Sequence, residues 1–354
     1  MRTSVPYTDL LKEMISIPAT SRNEDRRAGF LEEHLKQMGH GVERRDNNLL
    51  IGDPAQKGEG INILLNSHLD TVSPVEGWET DPYLPVQEGE KITGLGANDA
   101  GASVVTLIAA YHEMVQKLKG KINLMLLISA EEEVSGAKGI EAVLPQLGQL
   151  DGVIVGEPTG MQPAVAERGL MVLDGEARGT AGHAARSEGV NAIYRAMEDV
   201  NTIASLNFPE ESQWLPPAGA QVTMITAGTG HNVVPDICRF VVDVRSNDRY
   251  SNNRMLELIS AACDSELVPR STRLKSSSLG KDHLLMKAIR KCALQPFGSS
   301  TLSDMALIPY PAVKMGPGDS ARSHTAGEYI LESELEAGVQ GYCEFLSTLG
   351  KLYL

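Results

Sequence analysis

The hydrophobic positions fall into four short apolar runs, each ending abruptly at residues able to bind a cation. Ile61, Ile63, Leu64 and Leu65 make the first, and the chain turns polar at Asn66 before His68 and Asp70. Such runs are those of strands buried on both faces, the parallel kind. Residues 121–129 (KINLMLLIS) make the second and lead straight into Glu131, Glu132 and Glu133. Residues 152–156 (GVIVG) make the third and end at Glu157. The fourth, 312–315, is shorter and precedes GPGDSARSHTAGEY, with Asp319 and His324. In open α/β sheets ligands gather outside the carboxyl ends of the strands. Four separate deliveries of His or carboxylate to that one edge predict a metal site.

Between these runs the spacing is helical. Residues 7–38 read as two helices separated near Pro18, and Gly39 ends the second. Residues 42–51 read as an edge strand and 53–60 as a polar turn. Asp99 precedes a helix whose apolar face carries Val104, Val105, Ile108, Tyr111 and Val115. From about Gly169 the texture changes to β-α-β-β-α-β, a ferredoxin-like module. The predicted fold is therefore α/β. A main domain, residues 1–168 and 276–354, has a mixed, largely parallel sheet flanked by helices, and an α+β ferredoxin-like domain, 169–275, is inserted into it. A helix over 283–294 and a last one over 333–349 complete the chain.

Composition narrows the partners. A formal charge of -14 over 354 residues argues against nucleic acid or an anionic membrane, which need clustered Lys and Arg, and a bound divalent pair would offset part of it. No 18-residue apolar run occurs, and the start of the chain has no uninterrupted apolar stretch, so the expected location is cytoplasmic. Cys238, Cys263, Cys292 and Cys343 lie far apart without a CxxC pair. Buried thiols are expected, neither a disulfide framework nor a thiolate metal site.

Each candidate has a plain structural reading beside the chemical one. His68 and Asp70 point the same way if extended, so that Asp70 can fix the His68 tautomer while the other ring nitrogen binds a metal; the alternative is an ordinary surface loop. Glu131 to Glu133 can supply a ligand and a proton shuttle on adjacent residues, or be a solvated acidic triplet. Asp99 can be a helix N-cap or a carboxylate bridging two cations. The small residues after it, Ala100 to Ser103, allow close approach. Two cations sharing one water can bring its pKa from 15.7 towards about 7, which makes hydroxide available at neutral pH.

The motifs SHLDTV, GLGANDAG, SAEEEVSG, VGEPT, GTAGHAAR, HNVVPDICRFVVDVR and GPGDSARSHTAGEY occur in this order along the chain. With them the sequence resembles the dinuclear zinc aminoacylase and carboxypeptidase family of acetylornithine deacetylase, succinyl-diaminopimelate desuccinylase and glutamate carboxypeptidase. The resemblance implies one metal held by His68 and Glu157 and another by Glu133 and His324, with Asp99 bridging. Asp70 would orient His68, and Glu132 would be the general base. It implies two zinc ions, with cobalt or manganese as substitutes, and a non-proline cis bond between Asp99 and Ala100. The inserted domain would be a lid and dimerisation element of a homodimer. Its His183 would reach the neighbouring subunit's site to stabilise the tetrahedral oxyanion, and is otherwise an exposed turn residue. Asn232 and Arg245 match positions near the substrate, Arg245 suiting a carboxylate, and Arg168 is a further candidate for that duty or a turn residue. One departure is the run after the bridging Asp, where family members have Met-Lys-Gly-Gly and this chain has Ala100, Gly101, Ala102 and Ser103.

The implied activity is hydrolysis of the amide of an N-acyl amino acid, most like N-acetylornithine, with N-acetylcitrulline and N-succinylornithine as variants, in arginine biosynthesis. The alternatives are a dipeptidase, aminopeptidase or carboxypeptidase of the same family, and a non-catalytic binding protein on the same fold.

Overall fold

The computed structural model describes residues 6–53 and 60–353; the polar turn expected over 53–60 lies, but for its two ends, outside them. The chain forms two compact units, one of residues 1–165, 279–297 and 303–354, the other of 166–278 and 298–302. The short return 298–302 has no signature in the sequence. Gly298 lies so close to the Trp214 carbonyl that a Cβ would have no room.

At the centre of the first unit run four parallel strands, Ile122–Ser129, Ile61–His68, Gly152–Val155 and Ala312–Lys314, neighbours in that order. These are the four apolar runs. Parallel pairing puts their carboxyl ends on one edge, where His68 lies beside Ser129 and Asn66 beside Val155. Residues 42–51, expected as one edge strand, are a hairpin of Val42–Arg45 and Asn48–Ile51. Asp46 turns it at φ 51°, a conformation a short polar side chain tolerates better than most.

Ala102–Met114 is buried on nearly every side, because it packs against the sheet, Pro6–Ile15 and Glu332–Leu352. That explains why its sequence is apolar beyond the single face expected of it. Asp99 is not its N-cap; a tight turn over Ala97–Gly101 precedes the helix, and Asp99 is extended within it. Helix 283–294 is shorter than expected, Leu284–Lys291, and ends where Ala293 takes φ 54°. Among the described residues no helix is long and apolar enough to cross a membrane.

The second unit has the β-α-β-β-α-β order. Its antiparallel sheet runs Gly219–Ala227, Ile237–Ser246, Gly169–Arg178, Glu266–Pro269. Strict alternation along Gly169–Arg178 and Ile237–Ser246 turns Met171, Leu173, Phe240, Val242 and Val244 to one face. There they meet Ala196 and Ile203 of one helix and Met255 and Ile259 of the other. Phe240 sits across from Gly175, where any side chain would strike its ring. Phe240→Ala should cost about 3–5 kcal/mol, and chemical denaturation followed by fluorescence would read it. A loss below about 1 kcal/mol would show that the ring is not a core element. The cysteines are all free, as expected, but only Cys238 is fully buried and the other three are partly buried.

Candidate metal centre

His68 is the last residue of its strand and only 1% exposed. Its Nδ1 lies 3.0 Å from the Asp70 backbone carbonyl and 3.5 Å from the Asp70 carboxylate. The carbonyl is thus the closer partner of the imidazole, and with Nδ1 donating to it Nε2 is the ring nitrogen aimed at the carboxylates. Nε2 faces Asp99 Oδ1 at 3.2 Å, Glu157 Oε1 at 3.7 Å and Glu132 Oε2 at 3.9 Å.

The Asp70 carboxylate has a second task that its position two residues after His68 does not announce. It accepts the backbone N–H of Glu132 at 3.1 Å, that of Glu133 at 3.2 Å, and the Ser21 hydroxyl at 2.7 Å. Asn48 accepts the N–H of Ala130 at 3.0 Å and Glu24 that of Glu131 at 3.3 Å. Four successive N–H groups after the strand are therefore held by buried side chains. This is how an acidic triplet becomes a fixed structure instead of a solvated loop. Glu131 takes φ 53° and packs against Gly136, and the triplet does not present three equivalent carboxylates.

Asp99 lies between the two histidines. Its Oδ1 is 3.2 Å from His68 Nε2 and its Oδ2 is 3.6 Å from His324 Nε2. The peptide bond from Asp99 to Ala100 is cis. His324, at φ 59°, also lies 3.1 Å from Glu133 Oε2. Two groups, His68 with Asp99 and Glu133, and His68 with Glu132 and Glu157, each bring their donor atoms within 4.8 Å of one another. The six residues expected to meet do meet.

Electrostatics suit cations there. Desolvation, reinforced by neighbouring carboxylates, pushes Glu132 and Glu157 well above the ordinary carboxylate range. Burial alone would depress the His68 imidazole, but Glu132, Asp70, Asp99 and Glu157 outweigh it and hold it high. Its hydrogen bond to Glu133 raises His324 to about 9. Crowded, dry carboxylates around two imidazoles are costly without a compensating cation. Imidazole and carboxylate are donors that zinc accepts, so the residues fit a dinuclear metal centre.

Sequence reasoning did not find several supporting groups. Asp304, 3% exposed, accepts from the Ser129 hydroxyl at 2.6 Å, directly behind the strand ends, and burial raises it to about 6. Arg27, buried, donates to the carbonyls of Ile17 and Leu69 and so fixes the backbone beside His68; desolvation lowers it to about 10. Glu24, Asn48 and Glu328 complete the set. The one legible signal is the position of Glu328, four residues after His324.

The remaining predicted residues belong to the second unit. His183 is exposed and pairs in register with Val233, and the Ala184 N–H donates to the Asn232 carbonyl, so His183 and Asn232 are neighbours. Arg245 is held by Asp243 through two bonds of 2.7 and 3.0 Å. Arg168 donates to the carbonyls of Pro217 and Arg245.

Comparison with known proteins agrees with this arrangement. A tripeptidase from Staphylococcus aureus is 18% identical, with a TM-score of 0.75 over 98% of both chains. Aminopeptidase PepT from Bacillus cereus is 19% identical, with a TM-score of 0.76 over 97% of this chain and 98% of that one. A metallo-carboxypeptidase from Sulfolobus solfataricus is 16% identical, with a TM-score of 0.73 over 98% and 100%. At these identities the likeness is one of fold. Residues 64–348 match peptidase family M20/M25/M40. With that match over most of its length, and with both metal-binding groups in place, the chain belongs to peptidase family M20/M25/M40 and is a metal-dependent amide hydrolase.

Proposed function

We propose that the enzyme removes the acyl group of a small N-acyl amino acid, with N-acetylornithine first among the candidates and N-acetylcitrulline and N-succinylornithine beside it. The observation that carries the ligand assignment is Asp99, whose two carboxylate oxygens face the two histidines separately. His68 and Glu157 would hold one cation, Glu133 and His324 the other, and Asp99 would serve both. Zinc is the proposed metal, with cobalt or manganese able to replace it. When bound, the pair supplies Lewis acidity and a nucleophile available at neutral pH.

The chain's own groups do the rest. Glu132 moves the proton from the attacking water to the leaving amine, a role its place beside His68 and between the other carboxylates favours. Asp70 fixes His68 and the backbone of Glu132 and Glu133 together. Arg245, with Arg168 and Asn232 as further contacts, would receive the substrate carboxylate; its pairing with Asp243 keeps the guanidinium plane oriented. We place the enzyme in the cytoplasm as a homodimer. The edge strand Gly219–Ala227 and the exposed Tyr194 and Met197 of helix Ala192–Ser205 suit pairing of two second units.

Exopeptidase activity is the second reading, favoured by the peptidases whose folds are similar. The zinc-loaded enzyme assayed against a panel of N-acyl amino acids and unmodified di- and tripeptides separates the two. Preferred turnover of N-acetylornithine with no cleavage of peptides is expected. Turnover of peptides alone would replace the first reading by the second.

A further inference from the structure

Two loops reach the metal centre from distant parts of the sequence, 96–101 with Asp99 and 319–328 with His324, and six hydrogen bonds tie them together. Glu328, 2% exposed, accepts the backbone N–H groups of Gly96 at 3.1 Å, Asn98 at 2.8 Å and Asp99 at 2.8 Å. Asn98, fully buried, answers from the other loop. Its side-chain carbonyl accepts the Asp319 N–H at 3.0 Å, and its amide donates to the Asp319 carbonyl at 3.1 Å and the Ser323 hydroxyl at 3.2 Å. Gly318, at φ 88°, lies so close to the Asn98 amide that a Cβ would have no room.

Both oxygens of Glu328 accept backbone N–H groups, and the residue belongs to neither of the two groups whose donor atoms converge at the centre. Those N–H groups include that of Asp99, and the chain from Glu328 back to His324 is only four residues long. Fixing one loop on the other fixes the two donors that must converge on one cation. We propose that Glu328, with Asn98, is a positioning residue that locks Asp99 and His324 into register and thereby sets the affinity for the cation between Asp99, Glu133 and His324. This rests on the ligand assignment proposed above. The cation at His68 and Glu157 would share Asp99 but not His324, and it depends on the lock less because His68 ends one sheet strand and Glu157 follows another by two residues.

The test withdraws zinc from the loaded enzyme with a chromophoric chelator and reads the two stepwise affinities, alongside thermal melting of the loaded protein. Wild type should yield two zinc ions, and H324A one fewer. H324A retaining both ions would end the ligand assignment and this proposal with it. Given the expected control, E328A should release the zinc that H324A lacks about 10–100-fold more readily, with the other one changed by less than about 3-fold. E328Q, which retains one carbonyl oxygen for the N–H groups of Asn98 and Asp99, should fall between E328A and wild type, and it decides the matter if E328A does not fold. A purely structural role would lower the melting temperature without separating the two affinities. Equal weakening of both ions, or no change in E328Q, would overturn the proposal.

Discussion

Glu132→Gln should leave the metal content unchanged while lowering kcat by about 10²–10⁴-fold, the loss expected when a positioned proton carrier is removed. The substitution preserves size and the backbone N–H held by Asp70, so the loop should keep its shape. Glu133→Gln should behave in the opposite sense, because Glu133 lies against His324 at 3.1 Å and its loss should release a metal. Geometry alone does not make the two residues equivalent. Glu132 stands 3.9 Å from His68 Nε2, whereas Glu133 lies against His324. Metal analysis beside steady-state kinetics reads both quantities. An active Glu132→Gln enzyme that has lost metal would show the two roles to be exchanged.

Mixing His183→Ala chains with Glu132→Gln chains, each inactive alone, should restore activity if His183 serves the partner subunit. In a mixed dimer one site would have both residues intact and the other neither. Random exchange of equal amounts makes about half the dimers mixed, so recovery should approach roughly a quarter of wild-type activity. His183→Ala alone should lose about 10²–10³-fold in kcat, as for one donor to a developing oxyanion. The exposure of His183, on a two-stranded ribbon beside Asn232, leaves it free to meet another chain. No recovery in dimers shown by mass to be mixed would place His183 within its own subunit's site or outside the reaction. A monomer at assay concentration would remove the question.

The strand-end donors that meet at the centre were legible in the sequence because their signal is local. A strand buried on both faces has to be apolar, and it has to end where the chain turns polar; a donor at that point is carried by the sheet to the edge shared with the other strands. His68, Glu132, Glu133 and Glu157 each follow such a run, and the parallel order of the four strands brings them together. The alternation along Gly169–Arg178 and Ile237–Ser246 likewise marked the second unit, since period two is a property of each strand alone.

What the sequence could not specify is what holds those donors still. Glu24 and Glu131 are 107 residues apart, Asn48 and Ala130 82, and Gly96 and Glu328 232. A hydrogen bond from a buried side chain to a distant backbone N–H leaves no periodicity, because the acceptor is chosen by proximity in space and any peptide group serves as donor. The hairpin at Asp46, the extended Asp99 and the return of residues 298–302 to the second unit have the same origin. Local pattern marked which strand ends deliver His and carboxylate to one edge, and tertiary packing alone decided how each is aimed, since a carboxylate's direction depends on the groups that desolvate and hydrogen-bond it.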